Sequence, residues 1–492
     1  MMVKLKSIKL YVSFKMYLKK LNEKNSIIYL IALATLILLI PHLTRFFVYD
    51  NALMGFDTYY HARISETIAN QGVQDYDSLS YGGSEYMFNP YHFVLAALSS
   101  IITLDVLLRL LPFILGILSF ILFYSILKRL KLELKIRFLT GMLFIISPIF
   151  IYFFTIPNQH SVPFFLNLLA FYFLLSKERY FIISILSFIL LPLFGLSHVI
   201  VGFLAILSYC LSNKKAIPKF TALSIILLIS SLIKYVPFYS KYPFPHLPSF
   251  INFTIFNSFI SDFGAPIAFG IFTLFLSLLG LITIKKSYQN IIFYFLSALL
   301  LISSYYFIHL RIYINLLFAF LVANAILIFI KRRWELNLIK QLTLLAIICG
   351  LLFSTVSYIN RISNIGPNAE TISSLEWLHN QPNGVVFSHY EKGFWIETIA
   401  NKPVIMDGLF DYAPEVEQRY NDSIIIFNSR NLKTTTQILD KYNITYIWID
   451  KKMMSGQVWG KETQGLLFIL KNSERFKSIY DLDGVEIWTY IK

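Results

Sequence analysis

A chain of 492 residues with 56% hydrophobic, 17% aromatic and only 14% charged residues is not a soluble enzyme, a fibrous protein or a disordered scaffold. Its mean hydropathy is +0.62, and apolar blocks long enough to cross roughly 30 Å of hydrocarbon recur along most of its length. The net charge of +15 does not point to nucleic acid. Residues 1–360 hold 29 Lys/Arg against 12 Asp/Glu, whereas 361–492 hold 14 against 16; the cations lie between apolar blocks, the pattern of the positive-inside rule, and not as a patch on one module.

In chain order, residues 1–25 carry seven lysines and read as a basic cytoplasmic tail. The first apolar block, about 27–48, is too long for a cleavable signal core and reads as an anchor. Residues 50–88 are too polar for lipid, and 91–104 reads as an interfacial or re-entrant helix before a second span at 106–127. Five basic loops follow, marked by Lys128 to Arg137, Lys177 with Arg179, Lys214 to Lys219, Lys285 with Lys286, and Lys331 to Arg333. Each interval between them holds a hairpin of two helices, and one further span at about 336–358 leads to the last domain. Cys210 and Cys349 both fall inside apolar blocks, so no disulfide framework is implied.

Parity then assigns sides. With the amino terminus inside, segments 50–104, 156–161, 237–264 and 308–311 lie outside, and so does the carboxy-terminal domain. The expected fold class is a mainly α polytopic membrane protein with about eleven spans, or thirteen by a looser count, and a carboxy-terminal extracytoplasmic α/β domain. The expected domains are 1–25 (tail), 26–360 (transmembrane, including outer loops 50–104 and 237–264) and 361–492. In the last of these, GVVFS, KPVIMD, ITYIWID and VEIWTYI read as strands, and ETISSLEWLHN and TTTQILDKY as helices.

Candidate chemistry gathers on the outward segments. Asp57, in Gly55-Phe-Asp57-Thr-Tyr-Tyr-His61-Ala-Arg63, offers a hard oxygen ligand, and Arg63 a fork for phosphate; a plain interfacial helix start with Asp57 as its cap explains the same residues. The turn Ile156-Pro-Asn158-Gln-His160-Ser161 presents a histidine on the same face. His198 and His309 stand at outer span ends. Asp262 ends the proline-rich outer loop. Arg311, an arginine at an outer span end, departs from the positive-inside bias, which suits either a snorkelling anchor or a phosphate ligand.

These segments resemble the catalytic subunits of oligosaccharyltransferases, membrane glycosyltransferases of the GT-C type. GFDTYYHAR resembles the family's first outer-loop motif, which implies Asp57 as a metal ligand. Asn158 and His160 stand where archaeal members carry a second, acidic metal motif, with Asn158 replacing a carboxylate. The resemblance implies that Asp262 engages the acceptor and that Arg311, with His309 and Arg63, faces the carrier phosphates. Residues 387–407 resemble the stretch around the family's Trp-Trp-Asp-Tyr-Gly acceptor motif, retaining only Gly393, with Glu391, Lys392 and Trp395 as the accompanying acceptor-binding positions.

The implied function is transfer of a glycan from a polyprenyl, dolichyl-type (pyro)phosphate carrier to a protein acceptor, asparagine N-glycosylation, at the cell membrane. A divalent cation, Mn²⁺ or Mg²⁺, held between Asp57 and His160, and Arg311 would stabilise the departing phosphate. One alternative is a GT-C enzyme moving a single sugar from a polyprenyl-phosphate sugar to a lipid, glycan or protein hydroxyl; another is a lipid or glycan flippase. Partners are the sugar donor, a protein or glycolipid acceptor and the bilayer, with no nucleic acid.

Overall fold

The computed structural model describes residues 22–492 except 50–51, 87, 177, 214–216, 242–253, 284–287 and 410–413. The basic tail, most of the proline-rich stretch and Lys177, Lys214, Lys215, Lys285 and Lys286 therefore lie outside the described residues. The chain divides into two compact units. One comprises residues up to Thr44 together with Arg109–Ser363; the other comprises Arg45–Leu108 and Asn364–Lys492. In this division most of the first outward segment groups with the residues that follow Ser363.

The helices run α1 (Glu23–Thr44), α2 (Asp57–Gln71), α3 (Pro90–Ser99), α4 (Leu104–Arg129), α5 (Leu134–Ile145), α6 (Pro148–Thr155), α7 (Ser161–Leu174), α8 (Phe181–Phe194) and α9 (Leu196–Ser212). They continue with α10 (Ile217–Lys241), α11 (Thr254–Phe259), α12 (Ile271–Ile282), α13 (Tyr288–Tyr306), α14 (Arg311–Lys331), α15 (Asn337–Ser363), α16 (Ala369–His379), α17 (Val416–Asn428), α18 (Leu432–Lys441) and α19 (Gly465–Asn472). Among the described residues, five of the helices between α1 and α15 are long and apolar enough to cross a bilayer, and α5 with α6 makes a sixth candidate broken by a 60° bend.

That bend has a local cause. Pro148 opens α6, where its missing N–H costs nothing, and Ser147 Oγ accepts from Phe150 N at 3.2 Å as the cap. Asn315 Nδ2 of α14 donates to the same Oγ at 2.6 Å, tying the break to the central helix. Helix α14 is the most enclosed of the long spans, with 61% of its apolar stretch buried. It meets α12 at Gly280, where a Cβ would stand 2.1 Å from Leu321 O. Only glycine lets the two backbones approach so closely, the usual device of helix pairs in lipid.

In the second unit a four-stranded sheet has the order β3-β4-β6-β5, preceded by the short hairpin β1 (Tyr76–Asp77) and β2 (Ser84–Glu85). Strand β3 (Val385–Phe387) is parallel to β4 (Ile444–Ile449); β4 is antiparallel to β6 (Val485–Tyr490), which is antiparallel to the edge strand β5 (Phe476–Leu482). Asp483-Gly484 closes the last hairpin with both residues at positive φ, 55° and 81°, as a two-residue turn between twisted strands requires. Ile447 and Ile449 pack with Leu466 and Trp459 on one face, and Trp448 with Leu375 and Trp395 on the other.

KPVIMD does not form a strand. Pro403 has no donor for a ladder, and Val404 makes only isolated parallel bridges, to Val386 and Ser80. Those bridges are nonetheless structural: Val404 N donates to Leu79 O at 2.9 Å and Tyr81 N to Val404 O at 2.8 Å. They stitch the first outward segment onto the carboxy-terminal domain. Phe56 stacking on Trp395 at 5.2 Å and Tyr60 on Phe394 at 4.9 Å complete the join.

Candidate active site

Three histidines meet in the helical unit, each at a junction where one helix ends and another begins. His160 precedes α7, His198 lies in the first turn of α9, and His309 lies in a short 3-10 turn before α14. His160 Nδ1 and His198 Nε2 are 3.1 Å apart, and the His160 and His309 rings stack at 3.9 Å and 6°. One ligand atom from each ring lies within 4.8 Å of the others. Sequence parity had put all three junctions on one face, but only distance reveals that the three rings converge.

The rings are held from behind. His198 Nδ1 is 2.9 Å from Tyr313 Oη, which accepts from Asn167 Nδ2 at 2.8 Å. Asn167 also donates to His198 O at 3.2 Å, and His309 Nε2 is 2.5 Å from Ser197 Oγ. Tyr313 and Asn167 are buried within the unit. The same two residues form part of the wall of a cavity of about 290 Å³ that is otherwise largely apolar, lined by Phe123, Leu127, Phe171 and Leu204 among others, with Ser208 and Ser297.

Asn158 is not available as a metal ligand. Its amide donates to Phe153 O and Ile156 O, both at 3.0 Å, and its oxygen accepts from His160 N and Ser161 N at 3.0 and 3.1 Å. It builds the turn that presents His160, which an Asx side chain does well. Arg311 likewise does not face open space: its guanidinium donates to Ser258 O, to Ile267 O at 2.7 Å and to Ser258 Oγ at 3.3 Å, over the Phe259 ring at 4.1 Å. Arg361 holds Ser261 O and Ala265 O at 2.6 and 3.1 Å, and Tyr358 donates to Pro266 O. Two arginines and a tyrosine thus pin the segment 258–267 by its carbonyls. Asp262, within that segment, accepts from Ile271 N at 2.7 Å and caps α12.

The second unit gathers another polar group. Asp57 opens α2 and is exposed, with no hydrogen bond or ion pair to it among the described residues. Arg63, one and a half turns on, does not present its fork to solvent. It pairs with both oxygens of Asp77 at 2.8 Å and with Glu397 Oε2 at 2.8 Å. Glu397 is 1% exposed and is hydrogen-bonded to Asp407, itself 7% exposed. Nearby, His61 Nδ1 is 2.8 Å from His92 Nε2, and His92 Nδ1 is 3.0 Å from Tyr86 Oη. Burial pushes His92 down to about 3, so that ring is neutral.

Two buried carboxyls in contact cannot both ionise cheaply. Burial and the neighbouring Asp407 hold the Glu397 carboxyl well above its usual range, with Arg63 opposing. Folded protein therefore keeps a proton that the unfolded chain releases above about 4.5, the ordinary value for a glutamate. Stability should fall as pH rises through that window, by at most about 1.4 kcal/mol per pH unit. Glu397→Gln supplies the same donor and acceptor permanently, so its thermal midpoint should vary less with pH than the wild type's; parallel curves would count against the shared proton.

The candidate acceptor positions are mostly core. Lys392, 1% exposed, pairs with Asp450 at 2.7 Å and lies 4.7 Å over the Trp395 ring. Trp395 is also 1% exposed. At Gly393 a Cβ would come 2.6 Å from Asp407 Cα and Met406 O, so the glycine serves close backbone packing. Glu391 alone is partly open and accepts from Gln457 Nε2 at 2.6 Å. Beside it His389, Tyr390, Tyr420, Ser423, Phe427 and Gln457 belong to the lining of a cavity of about 210 Å³.

The fold is similar to that of several solved membrane proteins. Over 96% of this chain and 75% of the other it matches the oligosaccharyltransferase of Archaeoglobus fulgidus in its apo form, with a TM-score of 0.65 and 15% identity. The same enzyme complexed with an inhibitory peptide and a dolichol-phosphate gives 0.64 at 15% identity, over 94% and 74% of the two chains. ArnT from Cupriavidus metallidurans, bound to undecaprenyl phosphate, gives 0.52 at 11% identity over 95% and 98%. The mycobacterial arabinofuranosyltransferase AftD gives 0.58 at 12% identity, over 96% and 40%. No family model and no curated protein matches the chain. At these identities the likeness is one of fold.

Proposed function

We propose that this protein is a membrane glycosyltransferase that moves a glycan from a polyprenyl phosphate or pyrophosphate carrier to a protein acceptor. One observation carries the reading: the three histidines are backed by Tyr313 and Asn167, and those two side chains also wall a largely apolar cavity. Chemistry for a charged headgroup therefore adjoins space for an isoprenoid tail, which is what a lipid-borne sugar phosphate needs. Dolichol-phosphate and undecaprenyl phosphate in structures of the same fold support the donor class.

In this reading His160, His198 and His309 hold a divalent cation, which supplies positive charge to the departing phosphate. Tyr313 and Asn167 orient His198; Asn158 shapes the turn under His160. Arg311 contributes by fixing the segment 258–267, and Asp262 sits on that segment to meet the acceptor. The cavity beside Glu391 takes the acceptor chain. The chain crosses the bilayer eleven times, in the plasma membrane, with its amino terminus cytoplasmic and residues 361–492 outside.

A second reading, transfer of one sugar to a hydroxyl, draws support from Lys392 and Gly393, which are spent on packing where an acceptor grip would be expected. Incubation of purified protein with labelled lipid-linked glycan from native membranes and an Asn-x-Thr peptide separates the two. Labelled peptide is expected, with transfer lowered roughly 100-fold in His198→Ala. Label on glycolipid or on a serine peptide instead would favour the second reading, and no transfer to any acceptor would end both.

A further inference from the structure

The sequence suggests a hard cation, Mn²⁺ or Mg²⁺, held partly by the Asp57 carboxylate. The three-ring group has a different character. Among the described residues, the group that converges on His160 contains imidazoles only, with no Asp or Glu among its members. Imidazole nitrogens suit zinc and its first-row neighbours, whereas magnesium and manganese favour oxygen. Three histidines with one open position are also the donor set of a catalytic, and not a closed structural, zinc site.

Geometry supports the same ion class. With metal–nitrogen distances of about 2.0–2.1 Å, a tetrahedral ion sets its nitrogens roughly 3.3 Å apart; His160 Nδ1 and His198 Nε2 stand at 3.1 Å. The third ring, His309, brings one ligand atom within 4.8 Å of those of the other two; it stacks parallel to His160, so it tilts out of the stack to aim its lone pair at a shared ion. The second shell is present as well. Tyr313 Oη takes up His198 Nδ1, leaving Nε2 to face the group, and Ser197 Oγ holds His309 Nε2, leaving Nδ1. Such outer partners set which nitrogen is offered to a metal. His198 is buried while His160 and His309 are partly exposed, so the open position lies on the side of those two rings.

We propose that His160, His198 and His309 form a three-imidazole site for a zinc-class ion that rejects Mg²⁺, with Tyr313, Asn167 and Ser197 as positioning residues. It rests on the glycosyltransferase reading for its purpose, since this ion would be the cation of that site, but its occupancy is measured without any transfer.

The test uses the full chain in detergent, stripped with a chelator and titrated with Co²⁺. Visible absorption bands of a four-coordinate, nitrogen-ligated ion are expected, removed stoichiometrically by Zn²⁺ and untouched by Mg²⁺ at about thousandfold excess. His198→Ala and His309→Ala should each weaken Co²⁺ binding at least about 100-fold, and Tyr313→Phe about 10- to 100-fold. If His198→Ala fails to fold, His309→Ala, at a partly exposed ring, carries the test. Absent bands, displacement by Mg²⁺, or variants that bind like the wild type would overturn the proposal. Metal bound as expected with no transfer to any acceptor would leave this site standing and remove the functional reading instead.

Discussion

Lys392→Met should lower the stability of the carboxy-terminal unit by about 3–5 kcal/mol, the cost of leaving one partner of a buried ion pair without the other. Lys392 is 1% exposed and its partner Asp450 6%. Asp450 Oδ1 also accepts from Met453 N at 2.9 Å, so the carboxylate cannot swing out to solvent without opening the turn after β4. Thermal unfolding followed by tryptophan fluorescence reads this unit well, because five of the six tryptophans lie in it. The double variant Lys392→Met, Asp450→Asn should recover most of the loss. A single variant as stable as the wild type, with weakened acceptor binding, would return Lys392 to the acceptor site.

Arg63→Met should be comparably damaging, about 3–5 kcal/mol, because it strands Asp77 and Glu397 together with Asp407 around one buried position. The cost should grow with pH, since carboxyls left without the guanidinium are tolerated only when protonated. Asp77→Asn and Glu397→Gln added to Arg63→Met should restore much of the midpoint. An arginine that served only to hold carrier phosphate would behave otherwise, with stability unchanged and the KM for the lipid donor raised.

These two residues show where sequence reasoning stops. Both stand in stretches that resemble ligand-binding motifs, and both suggested ligand contact, because a motif records chemistry without recording what the side chain already touches. Arg311 is the same case: its position at a span end was legible, but its carbonyl partners at Ser258 and Ile267 are about fifty residues away in the chain. Asn158 looked like a substituted ligand and is a turn-former, a role that depends on hydrogen bonds within five residues and was within reach of local reasoning.

The helical elements were largely legible because lipid imposes a simple rule, apolar stretches of spanning length punctuated by lysine and arginine. Strands β4 and β6 were legible from dense β-branched and aromatic residues. Residues 402–407 misled because a buried apolar run looks the same whether it pairs along its length or only at Val404. The edge strand β5, FKSIYDL, escaped notice because its exposed residues fall in adjacent pairs, Lys477 with Ser478 and Asp481 with Leu482, around a register shift that breaks the two-residue alternation.

Composition and charge spacing by themselves determined that this is a mainly helical membrane protein with several apolar helices, since hydrophobic length and cation placement are properties of consecutive residues. Tertiary structure decided the rest. It joined residues 45–108 to the carboxy-terminal domain, spent Arg63, Arg311 and Lys392 on internal partners, and drew His160, His198 and His309 from three separate junctions into one group. The reason is that a site is made by distance, and rings 38 and 149 residues apart in sequence (160 to 198, and 160 to 309) come together only through the packing of the helices that carry them.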